Sequence, residues 1–209
     1  MKIRTFIFFL LFSSLSTNAQ ITPDLSQVND SSHWVVFNRD IHFQDGIVHM
    51  NAMKGSALLW LKEFNFENGT IELDIKGKDV RGKSFVGLAF HGDDTETYDA
   101  IYFRPFNFRR PERGHHAVQY IAHPQHTWYN LRQNHPEKYE NPVIPIPNPN
   151  VWFHAKIIVK YPIVKVFVND SEEASLIINQ LSSRKKGWIG FWVGNGSDGY
   201  FKNLKISQD

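Results

Sequence analysis

The chain has no cysteine among its 209 residues. Disulfides, thiolate metal sites, thiol nucleophiles and lipid attachment through an N-terminal cysteine are thereby excluded. Stability must come from a core, and a domain of about 190 residues can bury roughly 70% of its unfolded surface. Beyond residue 19 no apolar run is long enough to cross a bilayer. There is also no sustained basic stripe of the kind that neutralises phosphates, so neither a membrane span nor a nucleic-acid partner is expected. Helical periodicity is scarce.

The start of the chain reads as an export signal. Lys2 and Arg4 precede the apolar run Phe6 to Phe12, and small residues close it at Thr17-Asn18-Ala19. This pattern predicts a signal peptide over 1–19, a mature chain from Gln20, and a periplasmic or secreted location. Its removal takes two of the 23 basic residues and none of the 21 acidic ones, so the exported form is charge-balanced.

What the chain has in quantity is short strand-like runs. They cover Trp34 to Phe37, Gly46 to Met50, Ala57 to Leu61, Thr70 to Ile75, Phe85 to His91, Asp99 to Arg104 and Ala117 to His123. Further on come Trp152 to Lys160, Ile163 to Asn169, Trp188 to Val193 and Tyr200 to Ile206. Leu176 to Leu181 is a weaker element. Turn signals such as Asp45-Gly46, Asn68-Gly69, Gly92-Asp93 and Asn169-Asp170 separate them. Ten or more short strands over 20–209 predict one β-sandwich domain. The predicted core comprises Ile71, Leu73, Val86, Leu88, Phe90, Ile101, Phe103, Ile157, Val159, Val166 and Ile189, because each belongs to an alternating or continuous apolar run. Pro124 to Pro149 breaks the rhythm with six of the ten prolines. Its Trp128, Tyr129, Tyr139 and His126 favour an ordered flap over a linker.

Alternation also locates a site. If Val86, Leu88, Phe90, Ile101 and Phe103 face inward, then His91, Tyr102 and Arg104 share the opposite face. There Arg104 can grip a carboxylate or vicinal hydroxyls, Tyr102 can donate or stack, and His91 can titrate near neutrality. The same letters also describe an ordinary polar outer face, with Arg104 paired to an acid such as Asp99. Gln119 and His123 share a face of the next run, with His115 one turn away. That group can bind sugar hydroxyls, hold zinc, or simply pack beside the sheet. Trp128 and Trp192 offer faces on which sugar rings stack, although a Trp in a strand such as 188–193 is commonly core. Asp93 and Asp94 in a glycine turn offer hard oxygen ligands for calcium, and Asn195, in the turn from Gly194 to Gly199, is a further binding candidate.

Three segments carry a resemblance: Gly69-Thr70-Ile71-Glu72-Leu73-Asp74-Ile75, Phe85 to His91, and Gly187 to Val193 with Gly199 to Leu204. From about Trp34 to Ile206 the chain resembles the concanavalin A-like lectin/glucanase superfamily. More narrowly, it is similar to secreted bacterial laminin-G-like and sugar-hydrolase-related domains. The resemblance implies an all-β jelly roll of two antiparallel sheets. It further implies an exported carbohydrate-recognising module that uses a concave sheet face and an aromatic flap. Hydrolases of that superfamily use a Glu-x-Asp-x-x-Glu strand; here Glu72-Leu73-Asp74 keeps two acids and Gly77 stands in place of the third. Arg109-Arg110-Pro111-Glu112-Arg113 and Gln119-Tyr120 only loosely echo the strands of jelly-roll alginate lyases. The resemblance leaves two alternatives to a non-catalytic binder. One is a glycoside hydrolase or polysaccharide lyase acting on a uronate-containing glycan, with Arg104 and Gln119 neutralising a carboxylate while Tyr102 or His91 moves the proton. The other is a laminin-G-like module that binds protein.

Overall fold

A computed structural model describes residues 20–209. The export-signal reading of 1–19 lies outside the described residues. In chain order the strands are β1 (Gln20–Ile21), β2 (Trp34–Phe37), β3 (Ile41–Gln44), β4 (Ile47–Met50), β5 (Ala57–Phe66), β6 (Gly69–Lys76), β7 (Val86–Gly92), β8 (Asp99–Phe103) and β9 (Val118–Ala122). After helix α1 (Trp128–Asn134) come β10 (Glu140–Asn141), β11 (Phe153–Lys160), β12 (Ile163–Val168), β13 (Leu176–Asn179), β14 (Gly187–Val193) and β15 (Gly199–Gln208). Among the described residues they form two antiparallel sheets. The first runs β13-β12-β11-β6-β15-β4-β3, with β1 added on β15, and the second runs β10-β9-β8-β7-β14-β5-β2.

All eleven predicted core residues are fully buried, at 0% exposure. They lie where the alternation puts them: Ile71, Leu73 and Ile75 on β6 oppose Ile157, Ala155 and Phe153 on β11. Side chains of this size contribute about 1.5–3 kcal/mol each when removed from water. The runs Trp152 to Lys160 and Ile163 to Asn169 form a hairpin, with Tyr161-Pro162 between β11 and β12 and Lys160 paired to Ile163. Leu176 to Leu181 resolves as a strand, β13.

The structure adds four elements to the predicted ones. β1 and β3 were not predicted. The proline-rich segment contains α1, whose N-cap Thr127 accepts from the Asn130 amide at 3.3 Å. It also contributes β10, which pairs with β9 and places Glu140 opposite Gln119. Among the described residues no helix is long and apolar enough to cross a membrane.

Candidate functional site

The site grows from one row of residues across the seven-stranded sheet. Register places Gln119 of β9 opposite Tyr102 of β8, Tyr102 opposite Gly87 of β7, and Gly87 opposite Trp192 of β14. Gly87 carries no side chain, and a Cβ there would stand 2.2 Å from the Ile101 carbonyl oxygen and 2.6 Å from Tyr102 Cα. Over that gap the Tyr102 and Trp192 rings approach to 4.9 Å between centroids. In the next row a Cβ on Gly190 would meet the Leu59 carbonyl oxygen at 2.2 Å. The space near it holds Trp60 and Tyr98, packed edge to face at 6.0 Å, and the Tyr98 hydroxyl accepts from Trp192 Nε1 at 3.1 Å.

Tyr102 and Trp192 floor a cleft of about 540 Å³, within the size range of small-molecule sites. Tyr102, Arg104, His123, Trp128, Trp192 and Asn195 all line it, as do Arg81, Arg113, His116 and Arg132. No Asp or Glu is part of the lining. Trp128, at the start of α1, is 48% exposed, so its ring is available to a ligand. Trp192 is 4% exposed and serves as floor.

Arg104 lies at the centre of a buried polar cluster. Its Nη1 donates to the His116 carbonyl at 2.9 Å, and its Nη2 donates to the Tyr102 hydroxyl and to Gln119 Oε1. Tyr102 Oη in turn donates to Gln119 Oε1 at 2.9 Å. Behind them Glu140, 3% exposed, accepts a two-point bond from Arg132, Nε to Oε1 at 2.9 Å and Nη2 to Oε2 at 2.6 Å. Its Oε2 also lies 3.5 Å from Arg104 Nη1, and its Oε1 lies 2.8 Å from His116 Nδ1. Burial pushes the Glu140 carboxyl up, but the Arg132 bonds and the charges of Arg132, His116 and Arg104 outweigh it and hold the group below its ordinary value. Burial raises the Tyr102 phenol, and Tyr98 is pushed up to about 12 by the same cause. Burial also lowers His116 and His123, which favours the neutral form of each imidazole.

The expected constellation assembles only in part. Tyr102, Arg104 and Gln119 converge, with Gln119 behind the other two. Arg104 is not on an open strand face: β8 ends at Phe103, because Pro105 has no amide to continue the ladder. Arg104 is therefore buried, at 4% exposure, and its acid is Glu140 rather than Asp99. Asp99 instead holds Arg184, Ser182 and Tyr120.

His91 does not join the cleft. Its φ of +47°, beside the register shift between Trp188 and Gly190 of β14, breaks the alternation. The ring stacks on Phe66, its Nε2 donates to the Glu67 carbonyl at 2.7 Å, and its Nδ1 accepts from Gln180 Nε2 at 3.0 Å. Those partners fit a neutral imidazole, in accord with the downward shift that burial imposes.

The other candidates divide as well. His123 stacks on Tyr98 at 5.0 Å and lines the cleft, whereas His115 packs on His116 at 3.8 Å outside it. Asn195 Oδ1 accepts from the Gly55 amide at 2.8 Å. Asp94 Oδ1 caps its own turn, accepting from the amides of Glu96 and Thr97 at 2.7 Å each, while Asp93 is exposed. Among the described residues no three His, Cys, Asp or Glu side chains are grouped to hold a metal ion.

With the geometry in place, the comparisons give the fold a lineage. The family model for the 3-keto-alpha-glucoside-1,2-lyase-like domain matches residues 24–207. The chain belongs to that family. A comparison with curated proteins returns no match. Among solved structures, carbohydrate-binding module CBM66 from Bacillus subtilis is 16% identical with a TM-score of 0.62, over 84% of this chain and 96% of that one. A Bacillus subtilis protein of unknown function with a galectin-like fold is 17% identical at 0.60, over 88% and 92%. The VIP36 exoplasmic/lumenal domain, in its Ca2+/Man3GlcNAc-bound form, is 13% identical at 0.58, over 85% and 86%. The predicted concanavalin A-like sandwich is the fold observed.

In this 3-keto-alpha-glucoside-1,2-lyase-like domain, reasoning from sequence missed Glu140, Arg132 and Arg81 altogether. Arg113 entered only as part of a loose echo of a lyase strand, not as a site residue. Glu140 lies in a two-residue strand with no periodicity to mark it. Arg132 did leave a trace: it stands four residues after Trp128, one helical turn on, and its guanidinium lies 5.3 Å from that ring centroid.

Proposed function

We propose that this exported chain binds carbohydrate in the 540 Å³ cleft, with Trp128 as the stacking face and the segment Pro124 to Pro149 as an aromatic flap. The observation that carries this reading is the lining itself, in which an exposed indole stands among arginine and histidine donors with no carboxylate. Sugar rings present apolar faces to aromatics and hydroxyls to such donors. The likeness to a carbohydrate-binding module and to a mannose-bound domain supports the reading, and residues 1–19 support export. A glycan array on the purified chain, followed by titration calorimetry, tests it. Binding is expected and should weaken in Trp128→Ala; a chain that binds nothing on the array overturns the reading.

One observation favours a second reading, elimination from a 3-keto sugar. A ketone at C3 acidifies the C2 hydrogen; a base removes that proton, the electron pair forms an enolate, and its collapse expels the C1 substituent. Neutral His116 or His123 suits the base, and arginines suit the enolate oxygen. A lining without Asp or Glu is unsuited to the two-carboxylate hydrolysis of glycosidases. Incubation with a 3-keto-α-glucoside should release the aglycone with an ultraviolet-absorbing unsaturated ketone, and His116→Asn or His123→Asn should abolish it. Release of a saturated keto sugar, or no turnover, would count against elimination.

A further inference from the structure

The four arginines of the cleft are not equivalent. Arg104 and Arg132 face it, but their charge is spent on Glu140, on the His116 carbonyl and on Tyr102 and Gln119. Arg113 and Arg81 differ. Arg113 precedes the turn Gly114–His116 and is half-buried, and its Nε is buried with no hydrogen-bond partner among the described residues. Its nearest carboxylate is the exposed Glu112, with Oε1 3.7 Å from Nη2, too long for a hydrogen bond. Arg81 is exposed and lines the same cleft from the segment before β7.

A guanidinium whose Nε is buried without a hydrogen-bond partner, beside a cleft lined by no acid, is half of a charge-assisted pair. The missing half is an anion with two coplanar or tetrahedral oxygens, which a guanidinium meets at two points. We infer that the cleft takes a glycan bearing an anionic group, a carboxylate or a sulfate, with Arg113 as the receptor and Arg81 as the steering charge. The inference rests on the carbohydrate reading and narrows its substrate class. It also moves the anion contact away from Arg104, whose Nη1 and Nη2 are both engaged within the protein.

Four probes test it on the purified chain: an oligogalacturonate, its neutral methyl ester, a neutral glucan, and that glucan's sulfate ester. At least one anionic probe should bind about tenfold tighter than its neutral counterpart, and the pair that shows the preference identifies carboxylate or sulfate. The preference should shrink as salt is raised. Arg113→Gln should remove it by cutting the affinity for the anionic probe about tenfold more than the affinity for its neutral counterpart, with the Tm unchanged. Should Arg113→Gln lower the Tm, Arg81→Gln at an exposed side chain provides the same test with a smaller loss. Equal binding of anionic and neutral counterparts overturns the inference and leaves the carbohydrate reading standing, as does an undiminished preference in both variants. Failure of all four probes, with no binding on the glycan array, overturns both.

Discussion

The outward faces of the two sheets obey the same alternation and come out as opposites. On β6 and β11 of the eight-stranded sheet, burial alternates strictly, and the outward Glu72, Asp74, His154 and Lys156 remain half-exposed. On β7, β8 and β9 of the seven-stranded sheet every position is buried, polar residues included. Polar groups on the first face pair loosely with their neighbours, as His154 Nδ1 does with Asp74 Oδ1 at 2.9 Å. On the second face Tyr102, Gln119 and Arg104 lie out of water and must satisfy one another. What covers a strand decides its chemistry, and only the second face is covered, in part by α1. The acids Glu72 and Asp74, two of the three that the hydrolase strand requires, lie on the outward face of the other sheet, away from the cleft.

Removing a charge from each face should break the comparison most visibly. Glu140→Ala leaves Arg104 buried without its carboxylate, a change that costs about 3–5 kcal/mol and should appear in chemical denaturation. Glu72→Ala, at a half-exposed pair with His154, should cost about 1 kcal/mol at most. The same Glu140 sets an acid limb. Its folded pKa lies below the ordinary 4.5, so its stabilisation is fully present above that value and is lost as pH falls through the lowered one. Glu140→Ala should flatten the stability profile below about pH 4.5. Equal acid limbs in both proteins would contradict that assignment.

The contrast also explains how far the sequence could be read. Alternation is a local signal, so Ile71, Leu88, Ile101 and Ile157 declared themselves as core, and β-strand existence followed. It fixes the face of a side chain but not what lies above it. Tyr102 was therefore placed on the correct face, while the depth of Arg104, set by Pro105 and by Glu140 some 36 residues later, was not legible. His91 failed for a local reason: one positive φ turned its ring away from the face its neighbours predicted. Trp128 was legible because an indole between prolines has no strand to belong to.

Two substitutions on the covered face should follow Glu140→Ala in size. Gly87→Ala forces a Cβ against the Ile101 carbonyl and the Tyr102 backbone, and overpacking of this kind costs about 1–3 kcal/mol. Its stability loss should come with loss of binding, because Tyr102 and Trp192 must separate. Trp128→Ala should divide the two readouts. The indole is half-exposed, so the Tm should hardly move, while loss of a stacked ring worth about 0.5–1.5 kcal/mol weakens binding about twofold to twelvefold. A large drop in Tm with unchanged affinity would make Trp128 a structural cap.

The smallest effect belongs to Lys156→Ala on the open face. Lys156 opposes Glu72 across the β11–β6 pair and Phe167 across the β11–β12 pair, with its ammonium 5.3 Å from the Phe167 ring centroid. A cation over an exposed ring contributes about 0.5–1 kcal/mol, and alanine gives up side-chain entropy costs that offset part of it. The net change should therefore stay within about 0.5 kcal/mol, with affinity for every glycan unaltered, since the residue lies in the other sheet. This silence is what makes the variant useful. If Lys156→Ala weakened binding as Trp128→Ala is expected to, the open face would be a second recognition surface, and the division between one covered, ligand-facing sheet and one solvent-facing sheet would fail.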